Sequence, residues 1–107
     1  MKKIMNELEK TIQVLDMILE AKASMIAEEL INDNYSLSET MNKLYIETHV
    51  TTMQYIEFYN IFLKEEREEE FTSEENELFK ETLYSRVRLL LNEKATQYLI
   101  NGMKKLS

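Results

Sequence analysis

The chain has no proline, no cysteine and no tryptophan, and only one glycine, Gly102, among its 107 residues. Without cysteine there is no disulfide, no thiolate metal ligand and no thiol nucleophile. Without proline, and with glycine used once, almost nothing is left to turn a sheet protein at the short intervals that strands need. A lone glycine near the C-terminus also excludes a glycine-rich phosphate loop. No run approaches the ~20 apolar residues that span a bilayer. Glu7, Glu9 and Asp16 interrupt the N-terminal stretch before it can serve as a signal peptide. The expectation is a cytoplasmic protein that does not engage a membrane.

What is present is the material of long helices. Hydrophobic residues make up 44% of the chain and charged residues 31%, which is enough apolar side chain for a core and argues against disorder. Met5, Leu8, Ile12, Leu15, Leu19, Ile26 and Leu30 recur at helical steps, predicting a first helix over about 3–31 that ends at Asn32-Asp33-Asn34. Ser36 with Glu39, and Thr72 with Glu75, fit capping boxes that start two further helices, over about 37–68 and 73–101. The second helix carries Met41, Leu44, Tyr45, Met53, Tyr55, Ile56, Phe58, Tyr59, Phe62 and Leu63 as its pattern, with a β-branched weak point at Thr48 to Thr52. The third follows Phe79, Leu83, Val87, Leu90, Leu91, Ala95 and Tyr98, and Asn101-Gly102 supplies its expected left-handed C-cap. Residues 1–107 are therefore read as one all-α domain, an up-down-up bundle of three helices each roughly 40–50 Å long.

The apolar pattern is broader than one core needs. Val14, Met17, Ile18, Ala21 and Met25 form a second stripe on the first helix. Leu78, Leu89 and Ile100, eleven apart, lie in line outside the main stripe of the third. Tyr55, Phe58 and Phe62 widen the second. One reading is an irregular bundle whose core wraps further round its helices. The sharper reading is burial against another protein, with a homodimer that forms a larger helical bundle as the simplest case. On that reading Val14, Met17, Ile18, Met25, Tyr55, Phe58, Phe62, Leu78, Leu89 and Ile100 form a protein interface.

Charge is uneven. The net charge is −7, with −5 over residues 1–63, −6 over 64–81 and +4 over 82–107. This disfavours direct nucleic-acid binding, which rests on clustered Lys and Arg. The run Glu65, Glu66, Glu68, Glu69, Glu70, Glu74 and Glu75 reads as a solvated turn, or as an acidic patch that docks on a basic surface. The basic residues Arg86, Arg88, Lys94, Lys104 and Lys105 are too sparse for a nucleic-acid site.

No constellation for chemistry stands out. His49 is the only histidine, and no Glu-x-x-His pair is present to build a carboxylate-bridged metal centre. Asn32 to Ser36 resembles the start of a calcium loop, but Leu37 stands where the glycine belongs and Lys43 where the bidentate glutamate belongs. No catalytic residue, metal or cofactor is expected. The leading expectation is a small non-enzymatic regulator or adaptor acting by protein–protein contact. The alternatives are an acidic inhibitor of phage or mobile-element type, which blocks a basic groove by mimicking nucleic acid, and a helical small-ligand binder or enzyme.

Overall fold

Two N-caps set where the helices begin. Thr72 and Glu75 exchange bonds: the Glu75 N–H donates to Thr72 Oγ1 at 3.1 Å, and the Thr72 N–H donates to Glu75 Oε1 at 2.9 Å. This is the reciprocal capping box the sequence predicts. Ser36 is extended (φ −61°, ψ 162°), accepts the Glu39 N–H at 3.3 Å, and gives its own hydroxyl proton to Glu39 Oε1 at 3.0 Å. Its box is therefore closed side chain to side chain. Asn34 takes the left-handed conformation (φ 57°) that turns the chain from the first helix into the second.

The computed structural model describes residues 2–67 and 70–106, with α1 at Lys2–Asn32, α2 at Leu37–Phe58 and α3 at Ser73–Leu106. α2 is shorter than expected. It passes into a π turn over Tyr59–Leu63 and a 3-10 turn over Lys64–Glu66, and the π turn shifts the phase of the side chains that follow it. α3 is longer than expected. Gly102 is helical and no glycine has positive φ, so the predicted C-cap is not there. Gly102 instead lets the end of α3 approach Ile31 on α1, whose side-chain tip would clash with a Cβ at 102.

The helices run up, down and up. α1 and α3 are parallel: Lys3 meets Glu75, Glu9 meets Arg86, and Glu20 meets Lys94. α2 runs against both, with Tyr55 at Ile18 and His49 at Tyr84. The bundle measures 51 × 22 × 21 Å, as a helix of 34 residues at about 1.5 Å per residue requires.

The buried face of α1 repeats every eleven residues. Ile4, Leu15 and Ile26 form one column, Leu8, Leu19 and Leu30 a second, and Ile12 and Ala23 a third. An eleven-residue period, 3.67 residues per turn, keeps such columns in line along a nearly straight helix. Ile4 takes the buried place expected for Met5, which is exposed. α3 answers with Phe79, Leu83, Val87, Leu91, Ala95 and Leu99.

α2 departs from its predicted pattern. Its buried residues are Thr40, Leu44, Thr48, Thr51, Thr52 and Tyr55, while Met41, Tyr45 and Met53 point to solvent. The Thr48 hydroxyl donates to the Tyr45 carbonyl at 3.0 Å and that of Thr52 to the Thr48 carbonyl at 2.6 Å. A threonine whose hydroxyl bonds back to its own helix behaves as a small apolar residue, so Thr48 and Thr52 line the interior with their hydroxyls satisfied. The accessible surface is 7168 Å², against about 6,300 Å² for an average monomer of 12.8 kDa. The excess follows from long helices and from apolar side chains left outside.

Candidate functional site

α1 is two-faced. Opposite its core columns, Val14, Met17, Ile18, Ala21 and Met25 fall within about 100° of arc, and all are exposed, Met17 at 83% and Val14 at 57%. Val14 rims a hollow of about 110 Å³ shared with Thr11, Leu63 and Arg67, where α1 passes the end of α2. Phe62 is exposed, and its ring lies 5.1 Å from that of half-buried Phe58.

Tyr55, expected at the interface, is only 8% exposed and belongs to the core. Its hydroxyl donates to the Ile18 carbonyl at 3.3 Å, and burial pushes the phenol up to about 12. On α3, Leu78, Leu89 and Ile100 are exposed and stand in line along about 33 Å of helix. The interface residues of the sequence reading therefore divide between the α1 face, the end of α2 and the α3 line, with Tyr55 removed.

A further apolar surface escaped the sequence reading. Ile46, Val50 and Met53 are exposed on the outward side of α2, and Val50 and Met53 border an open hollow of about 450 Å³ with Gln54, Ile56 and Glu57. The signal was the i, i+4, i+7 spacing of Ile46, Val50 and Met53. It was masked because the buried face of the same helix is made of threonines.

The acidic end is only partly an open patch. Glu65, Glu66, Glu70 and Glu74 are exposed, while Glu68 and Glu69 lie outside the described residues. Glu75 is committed to Thr72 and to Lys3 Nζ at 3.1 Å. The Thr72 N–H, then Lys3, holds its carboxyl below the usual carboxylate value. Arg67 turns inward: its guanidinium donates to Tyr59 Oη at 3.2 Å and to Asn76 Oδ1 at 2.9 Å, and sits 4.0 Å from the centre of the Phe71 ring.

Two basic residues of α3, Arg86 and Lys94, pair with carboxylates of α1. Arg86 pairs with Glu9 at 3.2 Å, and Lys94 with Glu20 at 2.9 Å and Asp16 at 3.6 Å. Tyr98 Oη donates to Glu20 Oε2 at 3.0 Å. The bond from Lys94, then that from Tyr98, lowers the Glu20 carboxyl. The charge separation seen in the sequence is thus matched across the α1–α3 seam. His49 is exposed, with Nδ1 2.5 Å from Tyr84 Oη and the two rings edge to face at 5.7 Å.

Among the described residues no helix is long and apolar enough to cross a membrane, and no three His, Asp or Glu side chains are grouped to hold a metal ion. No protein-family model, curated protein or solved structure matches the chain.

Proposed function

We propose that the protein is a small cytoplasmic adaptor or regulator, not an enzyme, that works by protein–protein contact through the outward face of α1. The observation that supports this best is the amphipathic spacing of Val14, Met17, Ile18, Ala21 and Met25 on the side of α1 away from the core. Scattered exposed apolar residues are ordinary, but an in-phase stripe marks a surface that is covered in use. Methionine suits such a surface because its unbranched side chain adapts to what it meets.

The test is a photo-reactive residue placed at position 17 in the native cell, with one at Lys80 as control. Specific cross-linked species at 17 and none at 80 are expected. Equal labelling at both sites, or none at 17, contradicts the reading.

A second reading rests on Glu65, Glu66, Glu70 and Glu74, four exposed carboxylates near one end of the bundle. There the protein is an acidic inhibitor that occupies a basic groove. That reading requires partner binding that weakens steeply with salt and is lost in Glu65→Lys/Glu66→Lys. Binding indifferent to both excludes it.

A further inference from the structure

We infer that the occupant of the α1 face is a second copy of the chain, packed antiparallel about a two-fold axis that passes near Leu19 and Glu20. The inference rests on the contact reading above and names its partner. Three features of α1 support it.

The stripe matches itself when reversed. Val14 and Met25 lie equally far from the midpoint of Leu19 and Glu20, and Met17 and Ala21 equally far from Leu19. An antiparallel copy therefore sets Met17, the most exposed large apolar side chain among the described residues at 83%, over the smallest residue of the stripe, Ala21. Large on small across a two-fold gives the interdigitation that close helix packing needs.

Charge selects the direction. Lys10 lies one turn before Val14, and Glu28 three residues after Met25 with Glu29 beside it; Lys10 and Glu28 share the angular position of the stripe. In an antiparallel pair Lys10 of each copy faces Glu28 of the other, twice. In a parallel pair Lys10 faces Lys10 and Glu28 faces Glu28. The antiparallel direction also opposes the two helix dipoles.

A receptor stands ready at each end. The hollow of about 110 Å³ beside Val14 faces the place where Met25 of the second copy arrives. A flexible thioether fits an irregular hollow of this kind.

Sedimentation equilibrium of the full chain tests this. Wild type should rise from 12.8 kDa toward twice that mass with concentration, and Met17→Glu should stay at 12.8 kDa with unchanged circular dichroism. Lys10→Glu and Glu28→Lys should each weaken the dimer about tenfold, and the two together should recover to within about threefold of wild type, because each single change creates two like-charge contacts and the pair restores opposites. The chain has no cysteine of its own. Mixed Val14→Cys and Met25→Cys proteins should therefore form a disulfide under oxidation when neither does alone. A wild type that remains at 12.8 kDa throughout overturns the inference. So does a dimer that survives Met17→Glu, a double charge variant no better than the worse single, or Val14→Cys that cross-links to itself. A monomeric wild type that still cross-links at position 17 in the cell overturns self-pairing alone and leaves the contact reading standing.

Discussion

Gly102 of α3 and the tip of Ile31 of α1 compete for one small space: a Cβ at 102 would clash with Ile31 Cδ1, while Ile31 Cγ1 would lie at an ordinary 3.6 Å. Two effects oppose each other in Gly102→Ala. Helix propensity gains up to about 1 kcal/mol. Displacing the Ile31 tip costs about 0.5–1.5 kcal/mol if it is pushed off its rotamer. Ile31 and Gly102 border an open hollow, so the tip has somewhere to go. Gly102→Ala should change unfolding free energy by less than about 0.5 kcal/mol, and in an Ile31→Ala background should stabilise by about 0.5–1 kcal/mol. Denaturant unfolding of the four-member cycle checks both values.

Thr52 is fully buried, and its hydroxyl bonds only to the Thr48 carbonyl one turn before it in the same helix. That carbonyl keeps its ladder bond if the hydroxyl goes. Thr52→Val should therefore raise stability by about 0.5–1 kcal/mol, since a buried local hydrogen bond contributes little beyond its own desolvation. Thr52→Ala should lower it by about 1 kcal/mol through the space it leaves. Urea midpoints of the two variants should move in opposite directions.

Thr72→Ala should cost about 1 kcal/mol, because it removes the acceptor for the Glu75 N–H at the start of a 34-residue helix. The Glu75 carboxyl adds an acid limb. Its folded value lies below its ordinary 4.5, so its contribution is present above pH 4.5 and lost as pH falls through the lower folded value. Glu75→Gln should flatten that limb in an acid titration followed by circular dichroism.

At the alkaline end the sign reverses. Burial pushes Tyr55 up to about 12 from 10.0, and raises Tyr59 with Arg67 pulling it partly back. Both favour the neutral phenol in the fold. Their contribution is complete below pH 10 and is lost as pH rises from 10 toward 12. Helix content should fall over that interval together with the rise of tyrosinate absorbance, and Tyr55→Phe should move the loss to higher pH.

The number, order and starts of the helices were legible because capping is local. Ser36 and Thr72 mark their helices with side chains that bond three residues away, and no tertiary knowledge is needed to see it. The facing of α2 was not legible, because hydropathy counts a threonine as polar wherever it stands. Thr48 and Thr52 are interior only because their hydroxyls fold back on the helix. With that face hidden, hydropathy alone turns Met41, Tyr45 and Met53 inward and obscures the outward line of Ile46, Val50 and Met53. Gly102 misled for a related reason: glycine signals both a left-handed cap and a close approach, and only the position of Ile31 separates the two. Tyr55 borders both the core and the outer face, and the Ile18 carbonyl draws it inside. The second stripe of α1 was legible because both of its faces obey one helical period.

The most direct test of the claim that this molecule pairs with a second copy of itself through the outer face of α1 is a dilution series of amide NMR spectra on the isotope-labelled chain. Concentration-dependent shifts should gather at Val14, Met17, Ala21 and Met25 and leave Phe79 and Tyr84 unmoved. Shifts confined to α2 or α3, or a spectrum that does not change with concentration, would contradict it.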